Sequence, residues 1–519
     1  MKNKTKITAI VLLAIIFLLP FLSAMNFSPA SDEITHLPSG YSYWKTRTTE
    51  LNPQHPPLIK LLASFPLLFM DLKFNSKDSD LAGPLKDEWQ FGKKLLFSND
   101  TDKLLLWGRL PIMLISVLLG FYLFKWASDL FSPKAGAMAL FIYAFMPVIL
   151  ANAQFVTMDL GVTAFSFITI YYLWKFSRLG KKKYLVYCGL FLGLALGSKF
   201  SAVLLLPIIA FLIAVYLIGQ TGSVDSKIDR LVKLFLAVLA ISFGVVYLSY
   251  FMPTDISIYL RGMKSVYADW DPKYPFYLNG EFQAGGWRYY FLEALLIKTP
   301  IPALAIFAAS FIMFRRYGIS FRDKLFIFIP LLVFLGVTSA KAGNIGIRYV
   351  LPVYPLLILY AGGLVDIIKV NWRRVSLKTV SIASLAVWYV VSAIYIYPDY
   401  LAYFNEFVGE PRNGYKYLDD SNIEWGHDLK RLADYQKYHP DTKVIYSWEY
   451  LNPEYYQIKN ILPKEERSLL NPAGRYAVNT HFLVRLKELS HSLNNKELDW
   501  LSLYKPVDRV GYSFLVYEF

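Results

Sequence analysis

Long apolar runs recur along this chain. A helix that crosses the ~30 Å hydrocarbon core of a bilayer needs roughly 17–25 mostly apolar residues. Eleven runs approach or reach that length, and two of them meet at Ser198-Lys199. The pattern predicts a polytopic α-helical membrane protein with about 11 transmembrane helices, at about 7–25, 105–125, 135–152, 159–177, 184–198, 200–218, 231–252, 291–314, 324–338, 346–366 and 379–398.

Three connecting segments are too polar to span. The first, 26–104, contains two stretches that favour short helices in the interface plane, 55–70 and 85–97. The second, 253–290, is rich in Tyr, Trp and Gly. The third is the tail, 399–519, whose composition is that of an ordinary domain. It has strand-like alternation at 443–448 and 511–519 and helical patterns at 428–438 and 482–492. We therefore expect a transmembrane catalytic module over 1–398 and a small C-terminal α/β domain over 399–519.

Composition supports a membrane protein. Hydrophobic residues make up 55% of the 519 positions and charged residues 18%, whereas soluble domains average about 45–50% and about 25%. This argues against a soluble enzyme, a disordered scaffold or a nucleic-acid binder. The single cysteine, Cys188, excludes an internal disulfide framework and a cysteine-cluster metal site.

The net charge of 54 − 39 = +15 is distributed as a topology signal. Lys2, Lys4 and Lys6 precede a first run that is longer than the roughly 7–15 apolar residues of a cleavable signal peptide, which predicts an uncleaved signal anchor. Because basic residues are retained in cytoplasmic loops, we expect a cytoplasmic N-terminus and an extracytoplasmic C-terminus. The basic set comprises Lys125, Lys134, Lys175, Arg178, Lys181, Lys182, Lys183, Lys227, Arg230, Lys233, Arg315, Arg316, Arg322, Lys324, Lys369, Arg373, Arg374 and Lys378.

Ionisable residues next to spans are informative because they are costly at membrane depth. In the expected topology the candidates fall on the outer side. Each has a structural explanation: a helix N-terminus favours acidic residues, prolines stiffen a turn, and long basic side chains reach lipid headgroups. The candidates are Asp32, Glu33, His36, the segment 52–57, Asp159, Lys199, Lys341 and Arg348.

A single chemical explanation covers these positions together. A carboxylate can take a proton from an incoming hydroxyl, and cationic groups can stabilise the charge of a departing lipid phosphate. The sequence has no Gly-rich phosphate loop that would indicate a nucleotide donor.

The ordered motifs resemble those of the GT-C glycosyltransferases, in particular the protein O-mannosyltransferase and lipid A aminoarabinose transferase group. The resemblance runs from about residue 30 to 430 and rests on the set of motifs together. These are Asp32-Glu33, Gly40-Tyr41, His55-Pro56-Pro57-Leu58-Ile59-Lys60, Val156-Thr157-Met158-Asp159, Gly197-Ser198-Lys199-Phe200-Ser201, Gly285-Gly286-Trp287, Tyr290-Phe291, Lys298-Thr299-Pro300, 344–352, 403–406 and 420–429.

The resemblance implies a GT-C fold and an inverting transfer from a polyprenyl- or dolichyl-phosphate sugar at the non-cytoplasmic face. Asp32 would be the general base, and Glu33 would support the acceptor or orient Asp32. His55 would contact the donor phosphate. Further roles fall to Arg348 and Lys199 as phosphate ligands and to Asp159, which would orient the sugar or the acceptor.

The sequence departs from the family pattern in places. Gln54 stands where an acidic residue is common in relatives, and Glu424 and His427 stand where many have Asp and Gln. The segment 253–290 is too short for the β-trefoil insertion of eukaryotic protein O-mannosyltransferases. We therefore expect a bacterial or archaeal plasma-membrane enzyme.

Several alternatives remain open at this stage. The acceptor is a protein Ser/Thr, a lipid A-like glycolipid or a cell-envelope polymer. Rival classes are a transporter or lipid flippase and a membrane anchor for an outer binding module. A divalent metal is also undecided: Mg²⁺ and Mn²⁺ favour carboxylates such as Asp32, Glu33 and Asp159, but the chain has no Asp-x-Asp pair among them.

Overall fold

The computed structural model describes residues 3–81, 86–268, 271, 273–368, 376–463 and 472–519. Four of the basic residues used to predict topology lie outside these ranges: Lys2, Lys369, Arg373 and Arg374. The helices of the described part are α1 (Asn3–Ala24), α2 (Ser31–Thr46), α3 (Leu58–Ser64), α4 (Glu88–Phe97), α5 (Thr101–Leu130), α6 (Pro133–Ala144), α7 (Pro147–Ala153), α8 (Met158–Leu179), α9 (Lys182–Ser198), α10 (Leu205–Ile218), α11 (Val224–Ser249), α12 (Ile258–Ala268), α13 (Tyr290–Lys298), α14 (Ile301–Ile312), α15 (Phe321–Lys341), α16 (Val353–Gly362), α17 (Leu364–Ile367), α18 (Leu377–Tyr395), α19 (Leu429–Tyr438), α20 (Thr480–Leu493) and α21 (Trp500–Leu503).

Several of these helices can span a bilayer. Within the described residues, 6 helices are long and apolar enough, and the number rises to 8 if two bent helix pairs each count as one span. The membrane-protein prediction is confirmed at this level, and the count of about 11 spans stays a prediction. The six are Lys4–Ala24, Thr101–Leu130, Phe200–Ile218, Val224–Ser249, Phe321–Lys341 and Leu377–Tyr395.

Two of the apolar runs are not single straight helices. α6 and α7 meet at 67°, and α13 and α14 meet at 117°. In both cases a proline follows the break, after Met146 and after Thr299, and each of these residues has an extended backbone. A residue before proline is pushed out of the helical region, and proline then suits the first turn of the next helix. The bends therefore follow from Pro147 and Pro300.

α8 lies at the centre of the helical module. Its residues from Met158 to Trp174 are all buried, as expected of a helix that is apolar on every side. α9 packs against both α8 and α11. Its small residues permit this: a Cβ on Gly193 would lie 2.5 Å from Val245 Cβ of α11. This packing fixes the end of α9, where Lys199 follows.

The first polar segment is more helical than the sequence predicts. The expected short helices occur as α3, continued by a 3-10 helix over Phe65–Phe69, and as α4. The added element is α2, which contains Asp32 and packs on α3 and α4. A Cβ on Gly40 would lie 2.0 Å from the carbonyl oxygen of Lys60, so glycine is what allows α2 and α3 to approach this closely.

The remaining polar segments contain the strands. The segment after α12 forms a hairpin of β1 (Pro275–Leu278) and β2 (Glu281–Ala284). The tail forms a sheet of order β3-β4-β6-β5, in which β3 and β4 are parallel and the other pairs antiparallel. The strands are β3 (Lys443–Ile445), β4 (Arg475–Asn479), β5 (Asp508–Val510) and β6 (Phe514–Glu518).

The tail joins the helical module before its sheet begins. α19 and α20 occur where helices were predicted, and these two predictions are confirmed. Ahead of α19, the backbone N–H of Asn405 donates to the carbonyl of Ile297 at the end of α13, and Ser31 N–H donates to the carbonyl of Trp425. The stretch that leads to the sheet is therefore hydrogen-bonded to α13 and to the start of α2.

Candidate active site

One cavity brings together five of the six predicted site residues. It has a volume of about 320 Å³. Glu33 is the predicted residue that does not line it. The lining residues come from segments that are far apart in the sequence, and the fold brings them together. The lining residues are Asp32, Thr35, His36, Asn52, Gln54, His55, Glu88, Trp89, Met158, Asp159, Lys199, Arg348 and Tyr349.

Glu33 lies outside the cavity lining and stabilises the first turn of α2 through hydrogen bonds. Its side chain is fully buried. One carboxylate oxygen accepts from Arg109 Nε at 2.9 Å and from the Val156 backbone N–H, and the other accepts from Arg109 Nη2 at 2.6 Å and from the Ala30 N–H. An acidic side chain that returns to the start of its own helix is a capping contact. Here it also fixes the two segments that present Asp32 and Asp159.

Two carboxylate–cation pairs line the cavity. Arg348 Nη1 lies 2.8 Å from Asp32 Oδ2 and 3.7 Å from Asp159 Oδ2. Lys199 Nζ lies 2.7 Å from Asp159 Oδ1. Asp159 is in the first turn of α8, where the helix dipole also favours a negative charge. Two basic and two acidic side chains thus share one partly enclosed site.

Arg348 is held by the tail of the chain. It lies in a 3-10 helix, Ile347–Val350, whose first N–H donates to the side-chain oxygen of Asn422 at 3.0 Å. The guanidinium lies 4.3 Å from the centre of the Trp425 ring, a favourable cation–π distance. Among the described residues, its buried Nε has no hydrogen-bond partner. That N–H is therefore available to an anion.

Asp32 stays ionised in this setting. Burial raises the pKa of Asp32, but the charge and hydrogen bond of Arg348 and the charge of Lys199 outweigh that effect and hold the pKa below its ordinary value. Asp32 is 24% exposed, so its carboxylate is reachable from the cavity.

Two histidines line the same cavity as neutral rings. Burial lowers the pKa of His36 despite the nearby charge of Asp32, and burial lowers the pKa of His55 further. His36 Nδ1 lies 3.1 Å from the carbonyl oxygen of Val156, so the neutral ring donates from Nδ1 and keeps Nε2 as an acceptor. His55 is thus suited to a polar contact with a donor phosphate.

Lys60 positions the turn that carries His55. Its amino group is buried and its Nζ lies within 2.5–3.2 Å of four oxygens, which share its three N–H donors: the Tyr43 hydroxyl, the Asn52 carbonyl, the Asn52 side chain and the His55 carbonyl. A single cation therefore gathers the backbone of the segment 52–55 beside α2.

Replacement of Lys60 by methionine is expected to lower the free energy of unfolding by about 2 kcal/mol, because buried carbonyls of Asn52 and His55 lose a charged donor. Thermal unfolding of the purified protein in lipid nanodiscs measures the loss. Lys94→Met is the control, since Lys94 contacts Asp78 and Asp80 at the surface and should leave the melting temperature unchanged. A melting temperature of Lys60→Met equal to that of the wild type would contradict the role of Lys60 in positioning the segment 52–55.

A second buried charge cluster supports the tail near the site. His481 Nδ1 lies 3.0 Å from Asp419, and Arg485 Nη2 lies 3.0 Å from the same carboxylate. Burial alone would lower the pKa of His481, but the charge and hydrogen bonding of Asp419 raise it to about 9. The charges of Asp420 and Glu424 contribute to this raised value.

The stability of the protein is therefore expected to fall between pH 6.5 and about 9. A histidine whose pKa is raised on folding stabilises fully below its unfolded pKa, and this contribution is lost as pH rises through the folded value. The loss is on the order of 3 kcal/mol. Melting temperature against pH measures it. The His481→Gln variant should lack this step and the exposed-site variant His491→Gln should keep it; an identical profile in all three proteins would refute the assignment.

Glu33 lies apart from the other two carboxylates that were considered for Mg²⁺ or Mn²⁺. Glu33 binds Arg109 rather than facing Asp32 and Asp159, and each of the latter is paired with a cation. Across the described ranges, no group of three or more His, Cys, Asp or Glu side chains is placed to hold a metal ion. The residues present do not fit a three-carboxylate metal site.

Sequence reasoning missed several residues that build the site. Arg109 was not singled out, although a lone arginine inside the apolar run 105–125 is the kind of intramembrane charge that marks a buried partner. Trp89 and Tyr349 line the cavity, but aromatic residues are so frequent in this chain that the sequence offered no signal for them.

The structure combines a helical module with several candidate membrane spans, a carboxylate–cation cavity and a tail that contains a mixed four-stranded sheet. Residues 97–249 match the family model described as dolichyl-phosphate-mannose-protein mannosyltransferase. No curated protein matches the chain in sequence.

The whole chain resembles solved structures. The crystal structure of ArnT from Cupriavidus metallidurans bound to undecaprenyl phosphate aligns with a TM-score of 0.52 and 13% identity, covering 98% of this chain and 97% of that one. The apo form of that protein gives the same values. The oligosaccharyltransferase AglB from Archaeoglobus fulgidus aligns with a TM-score of 0.47 and 12% identity, covering 92% and 69%. The likeness to ArnT shows the GT-C fold, and the family match over residues 97–249 agrees with the predicted resemblance to the O-mannosyltransferase and ArnT group.

Proposed function

We propose that the protein is an inverting glycosyltransferase that moves a sugar from a polyprenyl- or dolichyl-phosphate donor to an acceptor hydroxyl at the outer face of the membrane. The observation that carries the proposal is the single cavity in which ionised Asp32 lies beside Arg348, with Lys199 and Asp159 adjacent. This is a base next to an anion site, as transfer from a lipid phosphate requires.

The reaction forms one bond and breaks one. The acceptor oxygen attacks the anomeric carbon, its proton passes to the Asp32 carboxylate, and the bond from the anomeric carbon to the phosphate oxygen breaks with its electron pair on the phosphate. Arg348 and Lys199 stabilise the negative charge on the departing polyprenyl phosphate. His55 contacts that phosphate as a neutral polar group, and Asp159 orients the sugar or the acceptor while holding Lys199.

A second cavity suits the lipid part of the donor. It measures about 360 Å³ and its lining is mostly apolar, from α9, α10, α11, α12 and the turn before α12. Leu196 of this lining precedes Lys199 by three residues, so the apolar groove reaches the neighbourhood of the cationic site. A prenyl chain in the groove would bring its phosphate toward Lys199.

Topology and acceptor complete the proposal. The N-terminus is cytoplasmic, and 399–519 forms an extracytoplasmic domain on the side of Asp32, in a bacterial or archaeal plasma membrane. Partners are the lipid-linked sugar, membrane lipids and an acceptor that is either a protein Ser/Thr or an envelope glycolipid or polymer.

Binding of polyprenyl phosphate tests the anion site directly. Lys199→Gln and Arg348→Gln are each expected to weaken the binding of undecaprenyl phosphate by at least about tenfold, because a hydrogen bond to a charged group contributes about 1.5–3 kcal/mol. Titration calorimetry on protein in nanodiscs gives the affinity. Lys341→Gln is the matched control, because Lys341 is an exposed lysine at the end of α15.

The same preparations should transfer label from a panel of polyprenyl-phosphate sugars. Equal affinity for undecaprenyl phosphate in the wild type and all three variants would show that Lys199 and Arg348 do not bind the phosphate. Binding without transfer from any donor, combined with translocation of lipid across the vesicle membrane, would instead indicate a flippase.

A further inference from the structure

A separate cleft opens beside the base. It measures about 210 Å³ and lies between the first turn of α2, α4 and the 3-10 helix Glu449–Leu451 of the tail. Its lining consists of Ser31, Ile34, Trp89, Ser447, Trp448, Tyr450 and Leu451. The proposed donor chemistry does not use this cleft.

The cleft and the catalytic cavity share a wall. Trp89 lines both. On α2, Ser31 and Ile34 line the cleft while Asp32 and Thr35 line the catalytic cavity, so the two openings lie on adjacent faces of one helical turn. A molecule that contacts Ser31 in the cleft would therefore lie next to Asp32, the proposed proton acceptor, which follows Ser31 in α2.

Aromatic rings dominate the cleft, and their positions are fixed by neighbours. Trp89 stacks on Tyr450 with ring centres 5.2 Å apart. Trp448 stacks on His481 at 5.3 Å, and its Nε1 donates to both carboxylate oxygens of Glu424 at 3.1 Å. Rigid aromatic faces bind with little loss of side-chain entropy.

The hydroxyls of Ser31 and Ser447 complete the lining. A sugar ring has apolar C–H faces and a hydroxyl-bearing edge, which matches aromatic faces with hydroxyls at the margin. The lining of this cleft comes from helices, 3-10 turns and the segment after β3, so a peptide bound here would not pair with a strand edge.

We propose that this cleft binds the acceptor and that the acceptor is a sugar ring of a glycan or glycolipid. The inference rests on the proposed glycosyltransferase function and assigns its acceptor class. A hydroxyl of the bound ring loses its proton to Asp32, and its oxygen forms the new bond to the donor's anomeric carbon as polyprenyl phosphate leaves.

Acceptor kinetics on the full chain in nanodiscs test the assignment. Mannotriose, cellotriose and chitotriose are compared with an uncharged peptide that carries Ser and Thr. At least one trisaccharide should accept label from a polyprenyl-phosphate sugar that the protein hydrolyses. Tyr450→Leu should raise the acceptor KM at least tenfold while slow donor hydrolysis in the absence of acceptor stays unchanged. Tyr455→Leu is the matched control, because Tyr455 stacks on Phe97 at 5.2 Å, outside the cleft.

The two proposals fail in distinguishable ways. Donor hydrolysis with transfer only to the peptide, or an unchanged KM in Tyr450→Leu, overturns the sugar cleft and leaves the transferase intact. Absence of donor turnover with every sugar overturns the proposed function instead. Saturation-transfer NMR then still decides the cleft, since trisaccharide signals should appear with the wild type and Tyr455→Leu and disappear with Tyr450→Leu. If Tyr450→Leu does not fold, Trp448→Leu replaces it, because Trp448 lines the cleft and not the catalytic cavity.

Discussion

Asp32→Asn is expected to reduce the rate of sugar transfer by about 10²–10⁴-fold, the usual contribution of a general base. Asparagine keeps the shape of the side chain but cannot take the acceptor's proton. Because the pKa of Asp32 is held below its ordinary value by Arg348 and its other basic neighbours against the effect of burial, the wild-type rate should not fall as pH is lowered until the pH is below the ordinary range of aspartate.

Release of labelled polyprenyl phosphate and transfer of label to the acceptor are both measured, in membranes with matched expression. Asp71→Asn, an exposed aspartate in the same polar segment, serves as the control and should retain full activity. Equal rates in the wild type and Asp32→Asn would show that Asp32 is not the general base. The proposed reaction would then have no group that takes the proton of the acceptor hydroxyl.

The sequence predicted that the site residues lie together better than it predicted the contacts among them. Charge alternation placed Asp32, Asp159, Lys199 and Arg348 at one face, and the structure has them line one cavity. Their pairing could not be predicted, because Asp32 and Arg348 are 316 positions apart. The contacts of α2 with the tail and with Val156, ahead of α8, decide which carboxylate meets which cation.

α2 shows why local pattern failed in the first polar segment. The helix contains Pro38 and Gly40, both unfavourable inside helices, and most of its residues are buried by tertiary contacts rather than by one apolar stripe. Such a helix is stabilised by its neighbours and by the Glu33 cap, so the spacing of apolar residues along the sequence does not predict it. The bend at Thr299-Pro300 was missed for the opposite reason, since an apolar run looks continuous even when a proline divides it.

Two roles were expected for Glu33, support of the acceptor or orientation of Asp32, and its contacts favour the second. The neighbouring Asp32 lines the cavity, whereas Glu33 is withdrawn from it by Arg109, with side-chain exposures of 0% and 1% in a contact of 2.6 Å. Arg109 also donates to the backbone carbonyls of Ala24, Phe27 and Ser28. The pair thereby ties α5 to the segment that leads into α2, and Glu33 acts as a positioning residue.

Arg109→Met is consequently expected to lower the free energy of unfolding by about 3–5 kcal/mol, because it leaves a carboxylate buried without its cation. Part of the loss should be recovered in the double variant Arg109→Met/Glu33→Gln, which removes the orphaned charge. Lys233→Met, which breaks a surface pair with Asp229 whose side chains are 72% and 57% exposed, is the control and should cost at most about 1 kcal/mol.

Thermal unfolding in nanodiscs gives the stabilities, and polyprenyl-phosphate release below the melting transition gives the activity of each variant. A positioning role predicts that the double variant regains stability together with a measurable part of its activity, because Asp32 itself is intact. If Glu33 were instead a group that touches the acceptor, the double variant would regain stability and remain as inactive as Asp32→Asn. That outcome would return Glu33 to the reaction and overturn the role that its contacts with Arg109, Ala30 and Val156 assign to it.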